Sequence, residues 1–360
     1  MEIGKKATNE DRSHSLHLKL IVFAGLLLLQ IVLFVLAARY VRDYFGFVLA
    51  IIPILEFIVF IYIFNDSSNP MYKLAWVFLI LTIPFFGILI YLFVAFNVKQ
   101  KAMHQRFSTM ANRYGPLYDK ISNEGVHRDL KEEDGLASLT SSYLKNTGDF
   151  PVFKAQGVDY HNDGRIHFDD MLVELEKAEK FIFMEYFILA DGLMWQSILD
   201  ILKKKVKEGV EVRLLLDGMM AFINLPRDFV EEMEGYGIKA RLFNVMRVNL
   251  SVHQNHRDHR KIMVIDGEVA YTGGLNIADE YINEKKRFGY WKDTAVKIQG
   301  DAVDSFTVMF LEVWNVLEGG HLEERYLRES KSSLAKDGFV IPYYDTPYNG
   351  EEIGKKSIWI

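Results

Sequence analysis

The sequence predicts an α/β protein in which N-terminal transmembrane helices precede a domain with a mixed sheet flanked by helices. Three apolar runs occupy the first hundred of the 360 residues, and charged residues are concentrated after them. Beyond about residue 180, strand-like apolar segments alternate with amphipathic helical segments, which is typical of parallel β-α-β units. The N-terminal region and the remainder of the chain are therefore chemically different.

The first region, residues 1–98, is predicted to hold two or three transmembrane helices. Its apolar runs cover residues 20–38, 47–64 and 74–96, and each is close to the roughly 20 residues that cross a bilayer. The second run is the weakest, because Pro53 and Glu56 interrupt it. Lysine and arginine are balanced between the flanks of the three runs, so the positive-inside rule selects no orientation.

The remaining chain divides by pattern into a polar, partly helical connector (99–150), a folded domain (151–330) and a C-terminal segment (331–360). Within the folded domain, apolar runs at 180–189, 210–218 and 239–244 predict strands, and residues 191–209 and 227–237 have helical spacing. The segment KIMVIDGEVAYTGG predicts a hairpin that turns at Asp266-Gly267. Another strand at 293–300 and a closing helix at 301–317 complete the domain.

Composition excludes several kinds of site. The chain contains no cysteine, which removes thiolate nucleophiles and zinc sites built on thiolates. The formal net charge is -6, so the whole chain has no basic signature of duplex nucleic acid binding, and we expect no nucleic acid partner. No Rossmann glycine pattern is present, and we expect no nucleotide or other cofactor.

The stretch HRDHRKIMVIDGEVAYTGGLN, residues 256–276, carries the most specific chemical signal. His259 and Lys261 are two residues apart, so they project to the same face of a strand, whereas Arg260 points the other way. A neutral imidazole beside an ammonium suits attack on phosphorus, because the lysine can hold a phosphate oxygen while the histidine attacks. After the hairpin, Gly273-Gly274 and Asn276 return toward the strand start, where they predict close backbone approach and an amide donor for a second phosphate oxygen.

The complete spacing resembles the HKD signature of the phospholipase D superfamily. With the segments MEYFIL, VEVRLLLDG and YWKDTAVKIQG, the chain is similar to bacterial cardiolipin synthases over nearly its whole length. One departure is Gly273-Gly274, where many superfamily members have Gly-Ser. The signature consists of six residues: His259, Lys261, Asp266, Gly273, Gly274 and Asn276.

The resemblance implies a phospholipase D-like α/β domain in a membrane phosphatidyltransferase. Such an enzyme joins two phosphatidylglycerol molecules into cardiolipin and releases glycerol through a phosphohistidine, without metal or cofactor. It also implies a multi-pass protein of the bacterial cell membrane whose catalytic domain is cytoplasmic. The expected partners are phosphatidylglycerol and other membrane lipids.

The same resemblance assigns roles within the site. His259 belongs to a two-histidine site in which one histidine is the nucleophile and the other transfers protons. Lys261, Asn276 and the glycine pair bind the phosphate, and Asp293 orients the catalytic histidine through its other ring nitrogen. Asp266 is counted among the candidate catalytic residues because it names the motif, although its opposite strand parity and its position at the turn favour a structural role.

Two alternatives remain open. His253, His256 and His259, with Asp258 among them, are candidate metal ligands of a hydrolase, although an extended backbone would separate the rings and Lys261 would place a cation beside the metal. The other alternative is a membrane-tethered phospholipase D-type phosphodiesterase or nuclease that acts as a homodimer. The basic residues within 203–207 would then follow a polyanion, although a solvated helix face explains them more simply.

The 360 residues contain one complete signature, whereas the mechanism implied by the resemblance needs two histidines at one phosphorus. The sequence ends with GKKSIWI, where the resemblance leads us to expect a second half to begin. We therefore expect a truncated chain whose partner is the missing second half, or a second copy of the chain. On that interpretation the chain alone makes little cardiolipin.

Overall fold

A computed structural model describes most of the chain as two compact units, Met1–Phe96 and Asn97–Ile360. The residues that it describes are 28–36, 42–66, 70–95, 98–245, 257–287, 289–320, 323–328 and 338–346.

The N-terminal unit is helical. It contains α1 (Arg42–Asn65), α2 (Pro70–Thr82) and α3 (Pro84–Ala95), and residues 28–36 are also helical. A small buried cluster joins the three named helices, and it consists of Val59, Ile63, Ile80, Ile88 and Tyr91. Most other large apolar side chains of these helices are exposed.

The prediction of a continuous third transmembrane span is wrong. Residues 74–96 are divided between α2 and α3, which have 13 and 12 residues. Pro84 causes the division, because proline lacks an amide donor and disfavours helical geometry in the residue before it. Across the described residues, no helix combines the length and hydropathy needed to cross a membrane, so the predicted multi-pass transmembrane helices are not confirmed. Part of the first predicted span, residues 20–27 and 37–38, lies outside the described residues.

The second unit is built around a mixed sheet, as predicted. Seven strands are arranged in the order β2-β8-β7-β6-β3-β4-β5, in which β3, β4 and β5 are parallel and the other pairs are antiparallel. The strands are β2 (Gly157–His161), β3 (Phe181–Tyr186), β4 (Glu211–Asp217), β5 (Lys239–Phe243), β6 (Lys261–Ile265), β7 (Val269–Gly273) and β8 (Ala295–Gln299). Two short strands, β1 (Phe153–Lys154) and β9 (Phe339–Val340), form a separate antiparallel pair.

Helices cover both faces of the sheet. They are α4 (Val98–Ile121), α5 (Glu124–Glu133), α6 (Gly135–Gly148), α7 (Gly164–Lys177), α8 (Leu193–Lys207), α9 (Gly218–Asn224), α10 (Phe229–Gly235) and α11 (Val303–Glu318). Phe183 of β3 packs with α4 and α11, whereas its neighbours Ile182 and Met184 pack with α7 and α8. Burial on both faces explains why β3 is apolar, apart from Glu185, rather than alternating.

The predicted hairpin lies between β6 and β7. The amide of Glu268 donates a 2.9 Å hydrogen bond to the carbonyl oxygen of Ile265, and the two central residues, Asp266 and Gly267, have φ values of 56° and 72°. Glycine adopts this left-handed conformation without strain, and aspartate tolerates it better than most residues. The turn chemistry in the sequence therefore fixes the point at which the chain reverses.

Candidate active site

The candidate residues converge at one end of the sheet because of the strand directions. β6 begins at Lys261 and runs antiparallel to β3 and β7, so its start lies beside Tyr186 at the end of β3. The end of β7, Gly273, pairs with Ala295 at the start of β8. This sheet end therefore gathers the histidine and lysine of the signature, the glycine pair, and the segment that carries Asp293.

His259 and Lys261 are in contact through the backbone and through one aromatic ring. The Lys261 Nζ donates a 2.6 Å hydrogen bond to the carbonyl oxygen of His259. The ring of Phe187 lies edge-on to the His259 ring, with 4.7 Å between the centroids, and its centroid is 5.4 Å from the Lys261 Nζ. Phe187 is a part of the site that the sequence pattern did not single out.

Both ionisable groups of the pair have lowered pKa values. Burial lowers the pKa of Lys261 from 10.5 to about 8, opposed by the charges of Asp258 and Asp293. Partial desolvation and the Lys261 ammonium lower the pKa of His259 below 6.5, although the residue remains exposed. Near pH 7 the pair is therefore a neutral imidazole beside an ammonium, the combination that a nitrogen nucleophile and a phosphate ligand require.

Asn276 is buried, and its amide is already engaged. Its Oδ1 accepts a 2.9 Å hydrogen bond from the backbone amide of Ile188, and its Nδ2 donates a 2.9 Å hydrogen bond to the hydroxyl of Tyr281. The first contact attaches the segment after β7 to the segment after β3. One Nδ2 hydrogen has this partner, and a second amide hydrogen can serve a ligand.

The glycine pair packs against the segment that begins β8. A Cβ added to Gly274 would lie 2.0 Å from the Asp293 Oδ1, and one added to Gly273 would lie 2.5 Å from the Thr294 carbonyl oxygen. A serine at position 274 would therefore require Asp293 to move. Position 274 therefore has no room for a side chain while Asp293 keeps this position.

Asp293 lies close enough to Lys261 for its charge to act on the ammonium. Its Oδ1 accepts a 2.8 Å hydrogen bond from the Thr294 amide, and its Oδ2 accepts one of 3.3 Å from the Trp291 indole. Its charge raises the pKa of Lys261 against the effect of burial. Its predicted role in orienting the histidine stays a prediction.

Asp266 lies at the far end of β6, away from the other signature residues. Its carboxylate accepts hydrogen bonds of 2.7, 2.7 and 2.8 Å from the backbone amides of Glu179, Lys180 and Phe181. These amides begin β3, so Asp266 joins the hairpin turn to the start of the central strand. The structure does not place it where it could touch a ligand of His259.

A buried polar cluster behind His259 was not predicted from the sequence. The Arg260 guanidinium forms ion pairs with Glu185 and with Asp258, the latter at 3.2 Å, and lies 4.8 Å from the centre of the Tyr344 ring. The Tyr344 hydroxyl donates a 2.5 Å hydrogen bond to Glu312 of α11. Two features of the sequence could have indicated this cluster. Glu185 is a carboxylate in an otherwise apolar strand, and Arg260 points to the opposite strand face from His259 and Lys261.

The two alternative sites receive no support from the described residues. Across these residues, no group of three or more histidine, aspartate or glutamate side chains could hold a metal ion, and His253 and His256 lie outside them. The basic run of α8 is divided among separate partners: Lys203 lies 3.9 Å from the centre of the Tyr236 ring, Lys204 pairs with Glu176, and Lys205 pairs with Glu208.

The candidate active site lies in a segment that is similar to known proteins. Residues 171–314 match the family model described as cardiolipin synthase, PLD-like domain. The matched segment runs from within α7 to within α11 and contains every signature residue, from His259 to Asn276. Residues 48–95 match a second model, described as phospholipase D-nuclease N-terminal.

Whole-chain relatives extend the similarity beyond the PLD-like domain. A cardiolipin synthase of Alkalihalophilus pseudofirmus is 32% identical over 315 residues, covering 83% of this chain and 62% of the relative. An uncharacterized protein of Streptococcus mutans is 39% identical over 295 residues, covering 82% and 64%. The chain therefore spans less than two thirds of the length of these relatives. Among solved structures, Nuc of Salmonella typhimurium, a phospholipase D family member, matches with a TM-score of 0.32 at 20% identity, covering 44% of this chain and 93% of Nuc.

Proposed function

We propose that this chain is the first part of a phosphatidyltransferase that makes cardiolipin and glycerol from two phosphatidylglycerol molecules. The observation that carries the proposal is the convergence of His259, Lys261 and Asn276 at one sheet end, inside a PLD-like domain of the cardiolipin synthase family. The enzyme class follows from that family, and the identity of the two lipids is part of the proposal.

The reaction exchanges one phosphodiester for another, so it needs no external energy source. A neutral histidine nitrogen attacks the phosphorus of the first phosphatidylglycerol, and the bond from phosphorus to the headgroup oxygen breaks. A second histidine protonates the departing glycerol. It then takes the proton from a headgroup hydroxyl of the second phosphatidylglycerol, whose oxygen displaces the first histidine from phosphorus. Which of the two histidines is the nucleophile stays open.

Lys261 and Asn276 have distinct tasks in this scheme. The Lys261 ammonium stays beside the His259 carbonyl and binds a nonbridging phosphate oxygen, where it opposes the charge that develops during attack. The Asn276 amide donates to another phosphate oxygen. Gly273 and Gly274 expose backbone close to the phosphate, because they carry no side chain to obstruct it.

The second histidine must come from outside the signature at His259. We propose that it is supplied by a second half of the protein or, in a homodimer, by a second copy of the chain. The length of the cardiolipin synthase relatives supports the first source, because the chain spans 62% of the A. pseudofirmus protein.

We also propose that the N-terminal unit associates with the membrane that holds the substrate. Among its described helices, Phe57 and Phe78 expose 64% and 73% of their surface, and many neighbouring large apolar residues are similarly exposed. Apolar surface on this scale is unfavourable in water and is typical of lipid contact. Cytoplasmic placement of the catalytic domain follows from the resemblance to bacterial cardiolipin synthases.

A phospholipase D-type phosphodiesterase or nuclease is the second candidate function. The observation in its favour is the match of residues 48–95 to a model whose description names a nuclease N-terminal region. The scattered pairing of the α8 lysines provides no continuous basic surface for a polyanion, which favours the lipid substrate.

Lipid analysis of bacterial cells that lack other cardiolipin synthases tests the proposal. We would express the chain alone, and the chain together with the C-terminal half of the A. pseudofirmus relative. Cardiolipin is expected only from the pair, and His259→Ala should abolish it. His127→Ala is the matched control, because His127 hydrogen-bonds Ser141 and Ser142 away from the site.

Each other outcome has a definite meaning. Cardiolipin formation that survives His259→Ala would remove His259 from the mechanism. Nuclease activity from the chain, with unchanged lipids, would favour the second candidate. If the purified chain alone makes cardiolipin at a rate that rises with the square of its concentration, two copies share one site.

A further inference from the structure

A cavity of about 230 Å³ adjoins the segment that carries His259. The segment itself lines the cavity from Arg257 to Arg260. The other lining residues are Phe107 of α4, Phe243 at the end of β5, Val313 of α11, and Tyr344, Asp345 and Thr346. The cavity therefore lies at the sheet end that holds the candidate active site.

One part of the lining of the cavity suits an apolar occupant. The volume of about 230 Å³ is far larger than the roughly 30 Å³ that one water molecule occupies. Phe107 and Phe243 present their rings to it, with 6.2 Å between the ring centroids. Water in such a space lacks hydrogen-bond partners along the apolar wall, whereas a hydrocarbon chain satisfies that wall fully.

The polar side of the cavity is firmly held. Arg260 is fixed by Glu185 and Asp258, and the Arg257 Nη1 donates a 2.9 Å hydrogen bond to the Asn244 carbonyl oxygen. The Asp258 amide donates a 3.3 Å hydrogen bond to Asp217, which also caps the start of α9. These contacts fix the backbone beside His259, so the cavity keeps a constant position relative to the phosphorus that His259 would attack.

We propose that this cavity receives the glyceryl end and the first methylenes of one acyl chain of the phosphatidyl donor. The inference rests on the proposed function, because it assigns a place to the part of the lipid next to the reacting phosphate. A bound chain would contact Phe107, Phe243 and Val313, and its phosphate would lie toward His259, which also lines the cavity. The cavity thus distinguishes a diacylglycerol phosphodiester from a phosphodiester without acyl chains, such as a nucleic acid.

Photochemical labelling tests the inference without requiring turnover. The probe is phosphatidylglycerol with a diazirine near the carboxyl end of one acyl chain, presented in mixed vesicles to the full chain. We expect labelling of peptides that contain Phe107, Phe243 or Val313. Val313→Phe, which fills the cavity, should reduce this labelling at least about tenfold, because a single methylene in an apolar pocket already changes selectivity by roughly 10- to 200-fold.

The control is Val316→Phe. Val316 lies on the same helix and is equally buried, at 2% exposure, but it does not line the cavity. This variant should keep the labelling of the wild-type chain. If Val313→Phe does not fold, as judged by circular dichroism, Val313→Ile adds one methylene and should give a smaller decrease in the same direction.

A rate measurement with the complementing half separates failure of this inference from failure of the proposed function. Relative to wild type, Val313→Phe should lower kcat/KM for dioleoyl phosphatidylglycerol about tenfold more than for glycerophosphoglycerol, which has the same phosphodiester and no acyl chains. Labelling elsewhere on the chain, or equal effects on both substrates, would overturn the cavity assignment and leave the transferase intact. Absence of transfer from dioleoyl phosphatidylglycerol in the wild-type pair would overturn the proposed function, and the labelling pattern would still decide the cavity.

Discussion

The Nζ of Lys261 lies 2.6 Å from the carbonyl oxygen of His259, so the ammonium is held beside the backbone of the signature histidine. This hydrogen bond satisfies a buried ammonium in the absence of a ligand. The ammonium has three N–H donors, so two remain for a phosphate oxygen while Lys261 stays beside His259.

The first prediction concerns pH. We expect kcat/KM to rise with pH through a pKa below 6.5, as His259 loses its proton, and to fall near pH 8, as Lys261 loses its own. Lys261→Arg should remove the alkaline limb, because a guanidinium remains charged, and should lower the maximal rate. A fall near pH 8 that persists in Lys261→Arg would assign that limb to another group.

The second prediction separates the two tasks of Asn276. Asn276→Ala should lower turnover roughly a hundred- to a thousandfold, since a preorganised donor to the phosphate is lost. It should also destabilise the domain by about 1 to 3 kcal/mol, because the buried Ile188 amide loses its acceptor. Tyr281→Phe removes only the partner of the Nδ2, and it should keep most activity. Equal kinetic losses in both variants would show that Asn276 acts through Tyr281.

The role of Asp293 in orienting the histidine is tested by comparing the effects of Asp293→Asn on kcat and on KM. If Asp293 orients the histidine, Asp293→Asn lowers kcat strongly and leaves KM nearly unchanged, because the lipid contacts remain. Its contact with Gly274 supplies a second test, since Gly274→Ala should displace the same carboxylate and reproduce part of the loss. A raised KM with preserved kcat would make Asp293 a contact of the headgroup.

For Asp266 we expect a loss of stability without a loss of chemistry. Asp266→Ala removes the acceptor of three backbone amides and should lower the free energy of unfolding by about 1 to 3 kcal/mol in denaturant titrations. Asp266→Asn keeps one acceptor oxygen and tolerates the positive φ, so its loss should be smaller. Turnover per folded molecule should remain near that of wild type, and a large decrease would return Asp266 to the catalytic set.

Glu312 should make stability depend on pH. Burial raises its pKa from 4.5 to about 7, opposed by the Tyr344 hydrogen bond and by Arg260. A carboxyl with a raised folded pKa stabilises the fold fully below its unfolded pKa, and this contribution disappears as pH rises through about 7. The free energy of unfolding of the wild-type chain should therefore fall by at most about 3 kcal/mol between pH 4.5 and 7. In Glu312→Gln this fall should be absent. Identical pH profiles for the variant and wild type would contradict this assignment.

Much of the α/β domain was predictable because its signals are local. Apolar runs predicted β3, β4 and β5, and helical spacing predicted α8 and α10. The Asp-Gly pair predicted the hairpin. The same local rule predicts His259 and Lys261 on one face and Arg260 on the other. In the structure Arg260 pairs with Glu185, whereas His259 and Lys261 both lie near Phe187. The third apolar run was wrongly predicted as one helix, because the prediction gave its hydropathy more weight than Pro84. Proline interrupts helical backbone geometry, and the run is divided into two helices.

The sequence by itself determined the alternation of strands and helices, the turn at Asp266 and the signature residues, because each depends on periodicity or on turn chemistry over a few positions. Only the tertiary structure decided that Asp266 serves the start of β3, that Asn276 joins two loops, and that the α8 lysines have separate partners. The cavity beside His259 was likewise decided by packing, since its walls come from residues more than a hundred positions apart in the chain, from Phe107 to Val313. Strand order and helix packing bring such residues together, and no local pattern records those distances.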